Sequence, residues 1–336
     1  MTRSGRNSER RNRIKGGWIP PLENAQVQTN TKPISTTGAE RREFSFSAKD
    51  FAQIRKLIYE RAGIALSPTK QEMVYSRLSR RLRAHELSSF KDYLVLLQDG
   101  DNEEWEAFIN SLTTNLTTFF REHYHFPILA EHVGRQQHRH DIQLWCAASS
   151  TGEEPYSMAM TMVDLFGTFT PPVKILATDV DTHVLATARQ GIYSMEKLDK
   201  LPPGHLKRFF LRGTGSRQGS ARVRDELREM ISFRQLNLLD SAWSTEGPTE
   251  SPYDAIFCRN VMIYFDKPTQ YRILQRFMPL LRPGGLLFAG HSENFFYAAD
   301  LFKLRGKTVY EVVSRVRSPA PSERVCSTIR HVKGVE

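Results

Sequence analysis

Two adjacent glutamates, Glu153 and Glu154, stand directly behind a single glycine, Gly152, in the stretch Trp-Cys-Ala-Ala-Ser-Ser-Thr-Gly-Glu-Glu-Pro-Tyr-Ser. A short apolar run precedes this stretch and an apolar-periodic segment follows it, which predicts a strand, a tight turn and a helix, as at the start of a Rossmann-like nucleotide site. A pyrophosphate needs several glycines at such a turn, and carboxylates at a helix N-terminus repel phosphate. The turn therefore predicts a site for S-adenosyl-L-methionine, which carries positive charge and no phosphate.

A third carboxylate, Asp179, follows the apolar run 173–178, which predicts a second buried strand. An acidic residue at the tip of this strand accepts hydrogen bonds from ribose hydroxyls, and its spacing from Gly152 is typical of such sites. The alternative is that Asp179 caps a helix predicted over residues 182–189. Asp181 fits the cap better, so we predict that Asp179 binds the ribose.

Composition limits the class of protein. The chain has 336 residues, of which 40% are hydrophobic, enough for two domains with full cores. It has no apolar run of 18 residues and no apolar core of a signal peptide, so we expect a cytoplasmic protein without membrane insertion. The three cysteines, Cys146, Cys258 and Cys326, are far apart, and the histidines form no ligand spacing. We therefore expect neither a disulfide framework nor a metal site.

The formal net charge of +10 is concentrated near the N-terminus. Residues 1–43 are rich in Arg, Lys, Ser, Thr and Asn and show no apolar period, which predicts a disordered basic tail. Nucleic-acid binding is the alternative, but the stretch lacks the interleaved aromatic residues on which bases would stack. We expect no nucleic-acid partner.

Residues 44–112 predict a small helical domain. Ser47 begins a capping pattern before one apolar stripe, Gly63 is a suitable end for that helix, and Ser67 with Pro68 begins the next helix. Four cations on the second helix form a basic stripe: Lys70, Arg77, Arg80 and Arg81. The stripe is either a solvated helix face or a docking surface for an acidic partner, and the sequence favours neither.

Alternating strands and helices follow from residue 113 to residue 316. Strands are predicted at 142–146, 173–178, 231–235, 253–258 and 286–289, with a pair of edge strands over 301–313. This rhythm is typical of an α/β, Rossmann-like domain whose parallel sheet has helices on both faces. It is interrupted at about 191–229, where a small inserted β-subdomain is expected, and residues 317–336 predict a flexible tail.

Several strings resemble one family, the chemotaxis receptor glutamate methyltransferases known as the CheR family. They begin at Thr113 (TTNLTTFFRE), Thr151 (TGEEPYS), Ala177 (ATDVD), Phe257 (FCRNVMIYFD) and Gly284 (GGLLFAGHSE). The resemblance spans about residues 44–315. It implies methylation of specific receptor glutamates by S-adenosyl-L-methionine, with S-adenosyl-L-homocysteine as the second product.

The same resemblance implies roles for individual residues. Arg121 and Tyr264 would lie at the transferred methyl group, and Glu154, favoured over Glu153, would hold the methionine ammonium. The remaining residues implied at the donor are Asn115, Thr117, Arg121, Asp179, Asn237, Leu238, Cys258, Arg259 and Asn260. The basic stripe would contact receptor helices, the insert in some members binds a receptor C-terminal peptide, and a monomer is expected.

The chemistry expected of the residues agrees with this implication. A glutamate side chain is ionised at neutral pH, so its methylation needs no general base. What remains is alignment, and Arg121 is suited to hold a carboxylate through two hydrogen bonds, although it could also be a surface charge. His291 is either a base or a packed turn residue. Methylation of RNA or another acceptor, and a receptor-binding module that only senses the donor, are the competing hypotheses.

Overall fold

A computed structural model describes residues 42–99, 102–136, 141–241, 243 and 252–313. Apart from residues 42 and 43, the predicted basic tail lies outside the described residues, as does the predicted tail 317–336. The described residues from Glu43 to Val313 form one compact unit. No helix in the described ranges has the length and apolarity needed to cross a membrane.

Four helices form the first part of this unit: α1 Ala48–Ala62, α2 Gln71–Ala84, α3 Phe90–Gln98 and α4 Asn102–Leu112. Ser47 caps α1 in a capping box and Gly63, with φ of 68°, ends it, as predicted. Ser67 caps a short 3₁₀ turn that precedes α2, so the second helix begins later than predicted. The apolar stripes meet in one core that includes Ile54, Ile58, Val74, Leu78, Phe90 and Phe108.

Two layers of helices and two sheets form the rest. The elements follow in this order: α5 His125–Gly134, β1 Ile142–Cys146, α6 Glu153–Phe166, β2 Val173–Asp179, α7 Thr182–Gln190, β3 Ile192–Ser194, α8 Met195–Leu198, α9 His205–Phe209, β4 Phe210–Arg212, β5 Ser220–Val223, α10 Asp225–Glu229, β6 Ile231–Gln235, β7 Tyr253–Phe257, α11 Lys267–Phe277, β8 Leu281–Phe288, β9 Phe302–Gly306 and β10 Val309–Val312.

The large sheet has seven strands in the order β6-β2-β1-β7-β8-β10-β9. The first five are parallel, and β10 pairs antiparallel with both β8 and β9. All five predicted strands of the parallel part are present, although β8 begins at Leu281 rather than at residue 286. Buried residues of α5 and α6 pack on one face and those of α11 on the other, which confirms the predicted α/β architecture.

The insert is a three-stranded antiparallel sheet in the order β3-β5-β4. Its buried residues Tyr193, Phe210 and Val223 join the same core cluster as Tyr156 on α6. The predicted β-subdomain is therefore present, and it is packed against the helix that begins with the two glutamates.

Candidate functional site

A cavity of about 390 Å³ lies beyond the carboxyl ends of β1, β2 and β7. This is the edge at which doubly wound sheets bind ligands, and the volume is in the range of small-molecule sites, roughly 300–1,000 Å³. The wall includes nearly all of the predicted donor and catalytic residues: Asn115, Thr117, Arg121, Glu154, Asp179, Asn237, Leu238, Arg259, Asn260 and Tyr264.

Cys258 is the exception. It follows β7, its side chain is fully buried in the core cluster that contains α11, and it is not part of the cavity wall. Its backbone N–H donates to the carbonyl oxygen of Phe288 at 2.9 Å. Burial also raises the pKa of the Cys258 thiol well above its usual value. The Cys258 side chain therefore has a packing role, and the predicted lining of the donor site by Cys258 stays a prediction that concerns its backbone.

The structure separates the two glutamates at the start of α6. The Oε2 atom of Glu154 accepts from Nη1 of Arg259 at 2.8 Å, and Glu154 faces the cavity. Glu153 is turned away and pairs with Nζ of Lys197 on α8 at 3.0 Å and with the hydroxyl of Thr151 at 2.6 Å. Burial raises the pKa of Glu154, although the charge of Arg259 acts in the opposite direction. Glu154 is thus the cavity-facing carboxylate, as favoured from the sequence.

Arg259 is buried between two carboxylates. Its side chain is fully inaccessible, Nη1 binds Glu154, and Nη2 lies 3.1 Å from Oε2 of Glu122. Nη2 also donates to the carbonyl oxygen of Arg121 at 2.5 Å. A buried guanidinium normally has such partners, because an unpaired buried charge is costly. Arg259 therefore fixes the positions of Glu154 and of the backbone that carries Arg121.

Glu122 was not predicted from the sequence, although it directly follows Arg121. Its Oε1 atom accepts from Nδ1 of His291 at 2.9 Å and from Nδ2 of Asn260 at 3.2 Å. Burial acts to raise the pKa of Glu122, but the hydrogen bond from His291 and the charge of Arg259 outweigh it, so the pKa falls to about 2. Glu122 is therefore an anion at neutral pH, and it joins its own segment to the segments that carry Arg259 and His291.

Glu293 holds the loop that follows β7. Its carboxylate accepts from the backbone N–H groups of Asn260 at 2.9 Å, Met262 at 2.8 Å and Gly290 at 2.5 Å. Asn260 has a left-handed φ of 59°. A Cβ atom on Gly290 would lie only 2.3 Å from Nδ2 of the Asn260 side chain, so the glycine allows that side chain to pack there. Asn260 is positioned by this buried acceptor, which the sequence analysis missed.

Asp179 ends β2 with both carboxylate oxygens engaged by backbone. Oδ2 accepts from Ser150 N–H at 2.8 Å and Oδ1 from Asp181 N–H at 3.0 Å. Burial raises the pKa of Asp179 to about 6, although these N–H groups act to lower it. Asp181 caps α7 by accepting from the N–H groups of His183 and Val184, which confirms the prediction that Asp181 is the helix cap. The ribose contact of Asp179 stays a prediction.

Asn115 and Asn237 brace the walls. Nδ2 of Asn115 donates to Oδ2 of Asp181 at 2.7 Å. Nδ2 of Asn237 donates to the carbonyl oxygen of Arg61 at 2.7 Å, and its Oδ1 accepts from Leu239 N–H at 3.0 Å. Both amides thus have intramolecular partners and keep loops in place beside the cavity.

Arg121 and Tyr264 face the cavity from different segments. Nη1 of Arg121 donates to the carbonyl oxygen of Leu116 at 2.8 Å, and Arg121 stands between two residues with φ of 52°, Phe120 and Glu122. The carbonyl oxygen of Tyr264 accepts from Ala65 N–H at 2.8 Å. The two residues predicted to be catalytic are therefore brought to the same cavity by unrelated parts of the chain.

The helical part contributes a wall that the sequence analysis did not predict. Residues from the end of α1 to the first turn of α2 line the cavity: Ala62, Ile64, Ala65, Leu66, Ser67, Lys70 and Met73. A Cβ atom on Gly63 would lie 2.7 Å from Leu239 and 3.0 Å from Phe265, so the chain reverses in close contact with the sheet part. A ligand in the cavity would contact both parts.

The predicted basic stripe divides into two pairs. Nη1 of Arg77 donates to the carbonyl oxygens of Thr113 at 2.6 Å and Ser111 at 3.3 Å, and Arg81 forms an ion pair with the buried Glu104. These two cations bind their own chain. Lys70 lies exposed at the cavity, and Arg80 is exposed on α2. Arg77 and Arg81 are thus already bound within the chain, and a docking role for the four cations stays a prediction.

The chemistry of the wall fits the methyl donor predicted from the sequence. The carboxylates Glu154 and Asp179 face the cavity, and Arg259 is already matched by two anions, so the site suits a ligand with positive charge and hydroxyl groups. Within the described ranges, no group of three or more His, Cys, Asp or Glu side chains is arranged to hold a metal ion. The expectation of no metal stays a prediction.

Comparisons with known proteins agree on one family. Residues 115–311 match the CheR methyltransferase, SAM binding domain, and residues 49–113 match the CheR methyltransferase, all-alpha domain. The chain is 55% identical over 269 residues to chemotaxis protein methyltransferase 2 of Pseudomonas aeruginosa, covering 80% of this chain and 94% of that protein. It is 56% identical over 261 residues to the chemotaxis protein methyltransferase of Klebsiella aerogenes (77% and 88% covered) and 54% identical over 267 residues to that of Escherichia coli (79% and 91%).

Proposed function

Because the chain belongs to the CheR methyltransferase family, we propose that it methylates specific glutamate side chains of chemotaxis receptors. The methyl donor is S-adenosyl-L-methionine, and the products are the glutamate 5-O-methyl ester and S-adenosyl-L-homocysteine. The observation that best supports this reaction is the placement of Arg121 and Tyr264 on the same cavity as two buried carboxylates, Glu154 and Asp179. This substrate places the activity on the cytoplasmic side of the receptor.

The inner wall supports a distinct role for each carboxylate. Glu154 would hold the ammonium group of the donor, with Arg259 keeping the carboxylate in place and moderating its charge. Asp179 would accept hydrogen bonds from the ribose hydroxyls through lone pairs that Ser150 and Asp181 leave unused. Asn237 would hold Leu238 against the adenine by bracing their loop.

The acceptor needs alignment rather than activation. A glutamate carboxylate is the nucleophile without loss of a proton, since its pKa is about 4.3 in an ordinary environment. The donor supplies a methyl group on a sulfonium, which leaves as a neutral thioether when the carboxylate oxygen bonds to that methyl. Arg121 would orient the carboxylate, because one of its nitrogens is fixed by Leu116 and its other donors remain for the substrate. Holding the reacting atoms in line lowers the activation free energy by several kcal/mol, and by about 7–11 kcal/mol in the best cases.

Transfer of a labelled methyl group from S-adenosyl-L-methionine to purified receptor cytoplasmic fragments tests the proposal. We expect label on the fragments, its release as methanol by mild base, and its loss when the acceptor glutamates are replaced by glutamine. Arg121→Ala should lower kcat at least tenfold with a smaller change in donor affinity. Donor binding without transfer to any receptor fragment would contradict the proposed activity and support a sensing module, while label on RNA would support the competing acceptor class.

The insert adds a prediction about partners that this experiment does not address. Among the residues that the structure describes, its outer strands β3 and β4 each pair with a strand on one side only. A receptor tail peptide could add to such an edge as a further strand. Comparing receptor fragments with and without their C-terminal residues would show whether this member uses that contact.

A further inference from the structure

Two large aliphatic side chains are exposed at the cavity. Leu116 is 78% exposed and Ile263 is 51% exposed, and both are part of the cavity wall. Leu116 lies in the segment between α4 and α5, and Ile263 lies in the short 3₁₀ turn Met262–Tyr264 after β7. Single exposed leucines are common on protein surfaces, whereas two exposed aliphatic side chains on the wall of one cavity suggest a contact site.

The exposed residues of the cavity wall form its rim, and apart from Leu116, Ile263 and one lysine they have small, uncharged side chains. The other exposed wall residues are Ala65, Ser67, Lys70 and Thr114. Lys70 supplies a positive charge, and the two acidic wall residues, Glu154 and Asp179, are buried below the rim. An acidic chain segment that also carries apolar side chains is therefore complementary to the rim in charge and in polarity.

Leu116 and Ile263 adjoin the residues proposed to act on the acceptor. The carbonyl oxygen of Leu116 accepts the hydrogen bond that fixes Arg121, and Ile263 precedes Tyr264 in the chain. A glutamate side chain is short, so the backbone of a substrate whose carboxylate reaches Arg121 must lie close to the rim. The side chains on either side of the acceptor then meet Leu116 and Ile263.

We propose that Leu116 and Ile263 bind apolar side chains that flank the acceptor glutamate, and that this contact helps to select which glutamates are methylated. The inference rests on the proposed function and adds a specificity determinant to it. Apolar contacts of this size change binding by about tenfold for each aliphatic side chain removed from water. The two residues thus favour acceptors with aliphatic neighbours over acceptors in wholly polar segments.

Replacement of each residue by serine in the full chain tests the inference. With receptor cytoplasmic fragments as acceptor, Leu116→Ser and Ile263→Ser should each raise KM for the fragment about tenfold. The Kd for S-adenosyl-L-homocysteine should stay within about twofold, since neither side chain is proposed to hold the donor. Leu304→Ser on β9 and Val95→Ser on α3 are matched controls, because these side chains are 40% and 49% exposed and lie outside the cavity wall.

A second arm changes the substrate. Replacing the apolar neighbours of an acceptor glutamate by serine should raise KM for the parent enzyme, and the same replacement should have a much smaller effect on Leu116→Ser or Ile263→Ser, because contacting residues are not additive. An unchanged KM in the enzyme variants, or fully additive effects, would overturn the inference while leaving the proposed function intact. Absence of transfer by the parent enzyme would overturn the proposed function itself.

Discussion

At the scale of single residues, the site depends on one buried cation. Arg259 pairs with Glu154, which faces the cavity, and with Glu122, and it also donates to the backbone carbonyl oxygen of Arg121. Because each carboxylate shares the same guanidinium, a change at Glu122 reaches Glu154 without any direct contact between them. Glu122 is therefore a positioning residue in this arrangement.

Glu122→Gln should lower the free energy of unfolding by about 1–3 kcal/mol, since it removes a charged partner of a buried guanidinium. The pKa of Glu122 is lowered to about 2 from an ordinary value near 4.5, so its contribution is present above pH 4.5 and is lost as the pH falls toward 2. Urea unfolding of parent and variant should show their difference shrinking over that range. Glu60→Gln is the control, because its exposed side chain lies 3.8 Å from Lys56 and should contribute about 0–1 kcal/mol.

Asp179→Asn should weaken binding of S-adenosyl-L-homocysteine by about 10- to 100-fold at pH 7.5, because a charged acceptor for the ribose is lost. The pKa of Asp179 is raised to about 6, so in the parent protein this acceptor is ionised above pH 6 and becomes protonated below it. Parent affinity should therefore fall as the pH drops from 7 to 5. Titration calorimetry over this range should show a weaker pH dependence in the variant, and equal slopes would contradict the ribose assignment.

Residues next to a recognisable turn or strand end could be predicted from the sequence, and residues reached through long-range packing could not. Glu154 and Asp179 follow directly from the strand-turn-helix pattern, because secondary structure alone places them at the edge of the sheet. Glu122 and Glu293 act by binding backbone and side chains from distant segments, and nothing in their local sequence signals those partners. The sequence did not show which way the Cys258 side chain points. Its neighbours Arg259 and Asn260 line the cavity, whereas the Cys258 side chain is buried in the core.

At the scale of elements, the turn between β1 and α6 also serves as a packing surface for other elements. Gly152 has φ of 97°, and a Cβ atom there would lie 2.8 Å from the hydroxyl of Tyr193 and 2.9 Å from Cβ of Ala188. Gly152 is not part of the cavity wall. Its lack of a side chain thus allows the insert and α7 to pack against the turn that carries Glu154.

Gly152→Ala should destabilise the protein by about 1–2 kcal/mol for the left-handed backbone and a further 1–3 kcal/mol or so for the added contact. Gly167→Ala is a matched control, because Gly167 has φ of 69° and no atom within 4 Å of an added Cβ. It should show the backbone cost alone. Equal shifts of the urea midpoint in the two variants would contradict the packing role of Gly152.

Elements with strong local sequence signals were predicted well. The start of one strand and the long-range contacts of two arginines were not predicted. The capping pattern at Ser47, the apolar runs of β1, β2, β6 and β7, and the antiparallel pair β9 and β10 were all predicted. The early start of β8 was missed because Arg282, Pro283 and Gly284 resemble a turn rather than a strand. The sequence placed the four cations of the basic stripe on one face, but periodicity does not show that Arg77 and Arg81 bind α4 and the residue that follows it.

At the scale of the whole molecule, the cavity joins the helical part to the sheet part. The segment 62–73 forms one wall, and the contacts of Ala65 with Tyr264 and of Asn237 with Arg61 cross between the parts. A ligand that contacts both parts stabilises both, by about 2.7 kcal/mol at a hundredfold excess over Kd. The all-alpha domain therefore forms part of the wall of the cavity proposed to hold the donor.

Binding of S-adenosyl-L-homocysteine should slow amide hydrogen exchange in residues 63–70 more than in α3. The first segment lines the cavity, and no residue of α3 does. Exchange followed by mass spectrometry, with and without saturating ligand, makes the comparison within one molecule. Equal slowing in the two segments would indicate only global stabilisation and would contradict a direct contact of the helical part with the ligand.

Left-handed backbone at residues other than glycine is concentrated around this cavity. Seven such residues occur in the described ranges, and four of them are Phe120, Glu122, Ser150 and Asn260, which flank Arg121 or form part of the wall. Each of these conformations costs on the order of 1–3 kcal/mol, which the surrounding contacts offset. Glycine at Glu122 would remove the carboxylate that pairs with the buried Arg259, so laboratory evolution for thermostability should avoid that position. It would be drawn instead toward glycine at Ser150, which keeps the backbone N–H that binds Asp179, and the heat-resistant clones it yields there should be poor methyltransferases.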